Sequence, residues 1–356
     1  MKTTTIRIAL VGFGLGGRVF HAPLISSVEG LELAAVLERN SSHAAQRYPG
    51  LRTCRTLDEL LSDSTIDLVV VTTPSGTHFE IARQVLEAGK HAVVDKPTAT
   101  SAAEVADLSR LASARDLHLI PFHNRRWDND FRTVHKLIHE GSLGHLVHVH
   151  SCFDRWSPGA SRKPWKDDPD QGGGTLLDLG THLVDQALVL FGKPKSVSAE
   201  VRRERGGEGS NDSFTLRLFY ETLLVTLEAN ALSSLARPRF HLRGTHGNFW
   251  KPGVDPQEAA LAKITRITDP HWGEEPQSAW GTLSVDVDGG IVTRPVPSIT
   301  GDYRFFYAGV RDTLLGKQPP PVKAIDAWRV AQLLEWATES SGLHCDIECD
   351  WSQESS

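Results

Sequence analysis

Long apolar runs are absent from this sequence. No stretch of the 356 residues reaches the 18 or so consecutive apolar residues that a membrane-spanning helix requires, so no such helix is predicted. The first residues, 1–5, lead straight into an apolar strand and leave no room for a signal peptide. These two absences lead us to expect a cytoplasmic protein.

A surplus of one sign of charge is also lacking, and cysteine is scarce. The formal net charge of -6 gives no electrostatic reason to expect nucleic acid or a membrane surface as a partner.

The sequence has 4 cysteines, widely scattered. Cys345 and Cys349 lie near His344, but no second pair of ligands is close enough in sequence to complete a zinc site. We therefore expect no metal and reduced thiols.

A glycine pattern stands at the end of the first apolar run. Residues 6–11 read Ile-Arg-Ile-Ala-Leu-Val, and the spacing Gly-x-Gly-x-x-Gly follows. A strand that ends in this spacing and opens a helix binds a dinucleotide pyrophosphate. The first glycine allows the tight turn, the second lets the phosphates approach the backbone, and the third lets the helix pack on the strand. The helix N-terminus adds unpaired N–H groups. The predicted cofactor contacts in this turn are Gly12, Phe13, Gly14, Leu15 and Gly17.

The second apolar run, residues 33–37, ends at two residues that bear on the choice of cofactor. Glu38 lies about 20 residues past the glycines, where an acidic side chain commonly accepts from the adenosine ribose, and this favours NAD. Arg39 could hold the 2′-phosphate of NADP instead, or it could be a solvated surface charge. The cofactor is therefore predicted to be NAD or NADP.

Up to residue 121 short apolar runs alternate with helical stretches. This alternation predicts βαβ units and a parallel sheet, since parallel strands need helical crossovers. Residues 1–121 are thus expected to form an α/β dinucleotide-binding domain. The predicted strands are 67–72, 91–94 and 117–120, and the predicted helices are 56–61, 77–88 and 101–114.

From residue 122 the pattern changes to strands that alternate apolar and polar residues, as in Phe-Thr-Leu-Arg-Leu at 214–218. This period is typical of an antiparallel sheet with two different faces. Residues 122–356 are therefore predicted to form an α+β domain on one large, open, mainly antiparallel sheet. The predicted strands are 146–153, 195–203, 213–220, 223–229, 239–242 and 283–287, and the predicted helices are 130–140, 175–191, 303–315 and 324–340, the last placed where it could pack back on the first domain.

One face of this second sheet has no predicted helix to cover it. An apolar face of that size would exceed what soluble monomers usually expose, and two copies related by a two-fold axis would bury it. We therefore expect a homodimer, or a homotetramer built from such dimers, joined through this face.

Two turns follow strands of the parallel sheet, at the edge where such sheets bind their ligands. The first reads Thr-Thr-Pro-Ser-Gly-Thr-His over 72–78, with Thr73, Pro74 and His78 as candidate cofactor contacts. A plain strand-to-helix turn is the alternative for this segment.

The second turn reads Asp95-Lys96-Pro97. Proline restricts the residue before it, so the lysine is held in place and can polarise a hydroxyl or share its proton. A surface lysine in a tight turn is the alternative. A turn that aims a lysine is a common setting for a cis proline, so we expect the Lys96–Pro97 bond to be cis.

Asp178 and His182 stand four residues apart on a predicted helix, after a run of glycines at 172–174. This spacing places both on one face. A carboxylate beside an imidazole orients it and raises its basicity, which suits a general base near neutral pH. The helix is otherwise apolar, so a purely structural buried pair is the alternative.

These motifs, in this order and spacing, resemble the glucose–fructose oxidoreductase/inositol dehydrogenase/rhizopine-catabolism (Gfo/Idh/MocA) family over nearly the whole chain. The resemblance sharpens at Phe-His-Ala-Pro (20–23), at His-Asn-Arg-Arg-Trp-Asp-Asn-Asp-Phe (123–131) and at Leu-Leu-Asp-Leu-Gly-Thr-His-Leu-Val-Asp-Gln (176–186). These strings resemble the branch that holds NADP-linked scyllo-inositol dehydrogenase.

The resemblance implies a Rossmann domain followed by an α/β domain that binds substrate and joins subunits through its open sheet. It places the family's catalytic lysine at Lys96, with Asp95 where a glutamate is usual, and the family's aspartate and histidine at Asp178 and His182. NADP-linked relatives tend to show a small hydroxyl residue before an arginine. This chain has Glu38 before Arg39, which moves the expectation toward NAD or the use of both.

The resemblance further implies an NAD(P)-dependent dehydrogenase of a neutral polyol or cyclic sugar, inositol-like. His182 would remove the hydroxyl proton, Lys96 would stabilise the developing alkoxide, and Asp178 would hold His182. A non-catalytic dinucleotide-sensing regulator of the same fold is the alternative. Cofactor contacts beyond the glycine turn are predicted at Glu38, Arg39, Thr73, Pro74, His78, Asp95, Lys96 and Asn124. Substrate contacts are predicted at Lys96, Arg125, Trp156, Trp165, Asp178 and His182, with Arg162 and Lys166 as further candidates.

Overall fold

The computed structural model describes residues 5–159, 164–263 and 267–354. Its first sheet has six parallel strands in the order β3-β2-β1-β4-β5-β6. In this order the chain reverses direction across the sheet between β1 and β4, and ligands bind at such a switch point. The strands are β1 (Ile6–Val11), β2 (Leu31–Leu37), β3 (Arg52–Cys54), β4 (Leu68–Val71), β5 (His91–Val94) and β6 (Leu119–Pro121).

Short helices connect these strands. A π-helical turn, Gly16–His21, follows the glycine turn and runs directly into the first α-helix. Ser101 caps the fifth helix by accepting from Glu104 N, but the Glu104 carboxylate accepts from Thr100 N and not from Ser101 N, so only half of a capping box forms. The helices are α1 (Ala22–Ser26), α2 (His43–Arg47), α3 (Leu57–Leu61), α4 (His78–Glu87) and α5 (Ala102–Ala114).

The second sheet has nine strands in the order β14-β13-β12-β11-β7-β10-β9-β8-β15. The β7–β10 pair is parallel and the other pairs are antiparallel, so the prediction of a mainly antiparallel sheet is confirmed. The strands are β7 (Leu146–Asp154), β8 (Ser196–Arg202), β9 (Ser213–Phe219), β10 (Leu224–Asn230), β11 (Phe240–Gly244), β12 (Gly247–Lys251), β13 (Gly281–Val287), β14 (Gly290–Val296) and β15 (Ile347–Glu348). β12, β14 and β15 were not predicted, because these strands are short or lie in exposed hairpins with little apolar pattern.

Helices cover one face of this sheet and also return to the first sheet. Residues of α6, α7 and α10 share a buried core with strand residues such as Val225 and Leu227. Phe306, Tyr307 and Val310 of α9 instead share a core with the first sheet, so a helix from the second half of the chain covers β1. The helices are α6 (Asn129–His139), α7 (Thr181–Phe191), α8 (Gln257–Ala262), α9 (Arg304–Leu314) and α10 (Ala324–Leu343).

The C-terminal helix α10 packs against both α5 and β8, and so bridges the two sheets. The division of the chain at residues 121 and 122 stays a prediction. The structure shows that the two sheets share covering helices that the linear sequence assigns to the second half.

The open face of the second sheet is polar. It presents His148, His150, Thr226 and Glu228, which are joined by hydrogen bonds between β7 and β10. The expectation of a contiguous apolar patch on this face is wrong, because the polar residues of each alternating strand point to this side. The homodimer or homotetramer stays a prediction, without the apolar argument.

Candidate active site

The glycine turn forms a cradle with no room for larger residues at two of its three positions. Gly12 has φ +99, a conformation that favours glycine. A Cβ on Gly17 would lie 2.4 Å from the carbonyl oxygen of Gly12, so the helix could not pack this closely with any other residue. A Cβ on Gly14 would meet nothing within 4 Å. Gly14 therefore faces open space in the cleft, and the backbone there fits a pyrophosphate.

A cleft of about 720 Å³ runs from this cradle, past the carboxyl edge of the first sheet, toward α7 and β7 of the second half of the chain. Its size suits a nucleotide together with a small substrate. The predicted site residues that line it are Gly12, Phe13, Gly14, Leu15, Glu38, Arg39, Thr73, Pro74, His78, Asp95, Lys96, Asn124, Arg125, Trp165, Lys166, Asp178 and His182.

At the end of β2, the carboxylate of Glu38 is engaged by its own chain. One oxygen accepts from Ser41 Oγ at 2.6 Å and from His43 N at 3.2 Å, and the other accepts from Ala44 N at 2.8 Å. Glu38 is only 6% exposed, whereas the adjacent Arg39 is exposed. The carboxylate thus caps α2, and this use of its oxygens was not foreseen from its position in the sequence.

His78 joins the two turns that follow β4 and β5. Its Nδ1 lies 2.7 Å from Pro97 O and its Nε2 lies 2.7 Å from Thr73 O. The Lys96–Pro97 bond is cis, as predicted. In the structure His78 therefore fixes the spacing of these turns through contacts with the backbone.

Asp95 contacts its neighbour Lys96 and His21, which lies in the Phe-His-Ala-Pro string, and His21 in turn contacts Tyr307, which the sequence patterns did not single out. Asp95 Oδ1 accepts from Lys96 N at 2.8 Å, and Asp95 Oδ2 lies 3.6 Å from His21 Nε2. His21 Nδ1 in turn lies 2.6 Å from the hydroxyl of Tyr307 in α9. Burial would raise the pKa of Asp95, but the proximity of His21 and the charge of Lys96 outweigh this effect and lower that pKa.

The ammonium group of Lys96 reaches across the cleft to Asp178. Lys96 Nζ donates to Asp178 Oδ1 and to Asp178 O, at 2.7 Å in both cases. Lys166 Nζ donates to Asp178 Oδ2 at 2.7 Å, and Arg155 lies 3.9 Å from the same oxygen. Burial would raise the pKa of Asp178, but the charges of Lys96, Lys166 and Arg155 hold it well below its usual range.

The expected partnership of Asp178 with His182 is therefore corrected. A π-helical turn, Leu176–Gly180, carries Asp178, and its carboxylate hydrogen bonds go to Lys96 and Lys166. His182 Nδ1 has no hydrogen-bond partner in the described part of the chain.

The expected rise in the basicity of His182 is also corrected. His182 is 4% exposed. Burial first, and then the charges of Lys96 and Arg125, lower its pKa well below the usual range, against a smaller opposing effect of Asp178. The imidazole is thus neutral at pH 7.

Arg125 also lines the cleft and is held there by acidic side chains. It donates to Asp128 at 3.2 Å and to Glu258 of α8, and Tyr303 supports Asp128 through a hydrogen bond of 2.7 Å. Glu258 and Arg155 also line the cleft and were missed by the sequence analysis. Neither lies in a recognisable motif, so only the fold brings them to the site.

Trp156 is 61% exposed and lies outside the residues that line the cleft, and its assignment to the substrate site stays a prediction. Its backbone forms an isolated bridge to Leu232 at the end of β7. Arg162 lies outside the described residues.

Within residues 5–159, 164–263 and 267–354, no group of three or more histidine, cysteine or acidic side chains could hold a metal ion. Over the same residues, no helix has the length and apolar character needed to cross a membrane.

A parallel sheet of order 3-2-1-4-5-6 has a glycine cradle at its switch point, and beside that cradle Lys96, after β5, pairs with Asp178 from the second half of the chain. This arrangement is typical of a two-part nicotinamide-dependent oxidoreductase. The chain belongs to the Gfo/Idh/MocA oxidoreductase family. A family model described as an oxidoreductase family with an NAD-binding Rossmann fold matches residues 6–123, and the GFO/IDH/MocA C-terminal domain matches residues 131–250. The cofactor is accordingly NAD or NADP.

Proteins of known sequence or known structure are similar to this chain over nearly their whole length. The NADP-dependent scyllo-inositol 2-dehydrogenase IolW of Bacillus subtilis is 34% identical, over 96% of this chain and 95% of its own. The uncharacterised oxidoreductase YdgJ of Escherichia coli is 36% identical, over 94% of this chain and 96% of its own. The structure of the oxidoreductase YvaA from Bacillus subtilis superimposes with a TM-score of 0.95 at 34% identity, covering 98% of this chain and 100% of its own.

Proposed function

We propose that this enzyme oxidises and reduces a hydroxyl-bearing carbon of a cyclic polyol or sugar, inositol-like, with Lys96 and His182 as its acid–base pair. The similarity to an inositol dehydrogenase over nearly the whole chain supports this substrate class. When bound, the nicotinamide supplies the hydride chemistry at the carbinol carbon.

The geometry of Lys96 is the observation that carries the proposal. An ammonium group has three N–H donors, and Lys96 uses two of them on Asp178. The third has no hydrogen-bond partner among the described residues and is available to a hydroxyl bound in the cleft. A positive charge fixed in this way stabilises the oxygen as the hydroxyl proton leaves.

The protonation state of His182 suits its proposed role as the acceptor of the hydroxyl proton. Because its pKa is lowered, the ring is neutral at pH 7 and accepts the hydroxyl proton without first losing one. As the substrate C–H bond breaks, the electrons of the O–H bond form the carbonyl, and the proton stays on the imidazole. In the reverse direction the imidazolium returns the proton to the carbonyl oxygen.

Two residues at the end of β2 bear on the choice of cofactor. The carboxylate oxygens of Glu38 accept hydrogen bonds from Ser41, His43 and Ala44. Arg39, by contrast, borders the cleft with an exposed side chain. We propose that Arg39, and not Glu38, decides how NADP compares with NAD.

We also propose that the protein works as a homodimer, or as a tetramer of such dimers, in the cytoplasm. The four cysteines are free thiols, as expected in a reducing compartment. Pairing would use the polar open face of the second sheet. Light scattering that gave a mass near 39.1 kDa at micromolar concentration would contradict the dimer.

The test of function uses Lys96→Met and His182→Ala, with the exposed His271→Ala as the matched control. The wild type is first screened with scyllo-inositol, myo-inositol, glucose and xylose with both cofactors, by following absorbance of the reduced nicotinamide. We expect each site variant to lower kcat by about 10²-fold or more while the dinucleotide Kd changes little. If the wild type bound dinucleotide but oxidised no polyol or sugar, the alternative of a dinucleotide-sensing regulator would replace the proposal.

A further inference from the structure

The cleft continues past Asp178 into a second chamber of about 450 Å³. The two spaces share Arg155, Trp165, Lys166 and Asp178 in their walls. A substrate whose reacting carbon lies at Lys96 therefore has room for a further substituent beyond Asp178. The side chains at this junction determine which kind of substituent can bind there.

Cations outnumber carboxylates in the substrate half of the cleft. Its walls carry Lys96, Arg125, Arg155 and Lys166 against Asp178 and Glu258. A third carboxylate of the cleft, Asp95, faces His21 behind the lysine turn, on the side of the dinucleotide cradle.

The surplus charge is located beside Asp178. Glu258 forms an ion pair with Arg125, and the charge of Arg155 also acts on it. Asp178, by contrast, forms ion pairs with Lys96, Lys166 and Arg155 at the same time. The second chamber adds Arg205 and Asp167, which form an ion pair with each other. Among the described residues, Asp178 therefore faces Lys96, Lys166 and Arg155, and one carboxylate cannot balance three cations.

Water solvates this surplus in the open cleft, since the side chains of Arg155 and Lys166 are 48% and 31% exposed. A bound substrate displaces part of that water. A neutral substituent would leave the cations poorly solvated, which is costly, whereas an anion would pair with them in a site of reduced dielectric constant. An arginine beside a lysine is also well suited to bind the oxygens of a carboxylate or phosphate.

We infer that the physiological substrate is a polyol or sugar that carries an anionic substituent, a carboxylate or a phosphate ester, bound between Arg155 and Lys166. This inference rests on the proposed function, because it assumes that the reacting carbon lies at Lys96 and His182. It replaces the expectation of a neutral substrate, and it assigns Arg155 as a determinant of specificity.

The test compares matched substrates that differ in charge: D-glucose, D-glucuronate and D-glucose 6-phosphate. We expect at least one of the two anions to show a kcat/KM about tenfold or more above that of glucose at low salt, with the difference shrinking as sodium chloride is added. The comparison of glucuronate with glucose 6-phosphate identifies which anion the site accepts.

Arg155→Gln tests the residue, with Arg155→Lys as the conservative variant and the exposed Arg202→Gln as control. The Gln variant should lower the anion-to-glucose ratio of kcat/KM by about tenfold, the Lys variant should restore much of it, and the control should leave it unchanged. Equal losses for neutral and anionic substrates, or a wild type that prefers glucose, would overturn the inference alone.

A binding measurement separates this inference from the proposed function. Calorimetric titration of the enzyme with its dinucleotide bound gives the Kd of D-glucuronate, D-glucose 6-phosphate and D-glucose without any turnover. Tighter binding of an anion, lost in Arg155→Gln, supports the anionic site even if none of the three is oxidised. If turnover occurs but neither anion binds more tightly than glucose, the proposed function stands and the anionic site is rejected.

Discussion

Lys96 and Asp178 are 82 positions apart in sequence, yet the Lys96 ammonium donates to both the carboxylate and the backbone carbonyl of Asp178. Asp178→Asn keeps the backbone acceptor and removes the negative charge that fixes the lysine. We expect kcat to fall by about 10- to 100-fold while the dinucleotide Kd stays within about threefold of the wild type. Steady-state kinetics and a fluorescence titration measure the two values. A kcat close to that of the wild type would show that the ion pair does not position Lys96.

The glycine cradle offers a matched pair of substitutions. A Cβ at position 14 meets nothing within 4 Å, so Gly14→Ala should fold normally but obstruct the approach of the pyrophosphate. We expect its KM for the cofactor to rise about tenfold or more with an unchanged melting temperature. A Cβ at position 17 would lie 2.4 Å from Gly12 O, so Gly17→Ala should lower the melting temperature as well. Calorimetry and kinetics on both variants check this, and equal melting temperatures for the two would contradict it.

The end of β2 gives a prediction about cofactor choice. Arg39→Gln removes a cation that borders the cleft, and we expect the KM for NADP to rise about tenfold, in keeping with the loss of a charged hydrogen bond, while that for NAD changes less than about threefold. Glu38→Gln disturbs the cap of α2, and should lower the melting temperature with little change in the NADP-to-NAD ratio of kcat/KM. A large shift of that ratio toward NADP in Glu38→Gln would restore Glu38 as the deciding residue.

Glu228 on the open sheet face predicts a dependence of stability on pH. The hydrogen bond from His150 and the charge of Arg237 outweigh burial and lower the pKa of Glu228 to about 2, from an ordinary value of 4.5. A carboxyl group with a lowered folded-state pKa contributes stability above the unfolded value and loses it as the pH falls toward 2. The difference in unfolding free energy between the wild type and Glu228→Gln should therefore be largest at pH 6–7 and should shrink below about pH 4.5.

Urea unfolding at several values between pH 3 and pH 7 measures this difference. Glu221→Gln removes the same charge from an exposed pair with Lys195, where water screens the interaction, and should have a smaller effect. A difference for Glu228→Gln that is the same at pH 3.5 and pH 7 would rule out the lowered pKa.

Local features of the site were predictable from the sequence alone. The glycine turn after β1 and the cis Lys96–Pro97 bond depend on residues adjacent in the chain, and both are present. The steric preferences of neighbouring residues suffice to specify such turns. The periodicities of the two halves likewise indicated a parallel sheet and then a mainly antiparallel one, since strand burial follows from the side-chain pattern.

The partners of the charged side chains were decided by the tertiary structure. Sequence spacing paired Asp178 with His182, but the fold brings Lys96 to Asp178 and Glu258 to Arg125, across 82 and 133 positions. Glu38 was predicted to accept from the ribose, which stays a prediction, and the fold also uses its carboxylate to cap α2. A periodic pattern specifies which face of an element is buried, and it does not specify which element packs against that face. Ion pairing and desolvation depend on that packing, so the sequence determined which groups the site would contain, and only the three-dimensional arrangement decided which charge meets which.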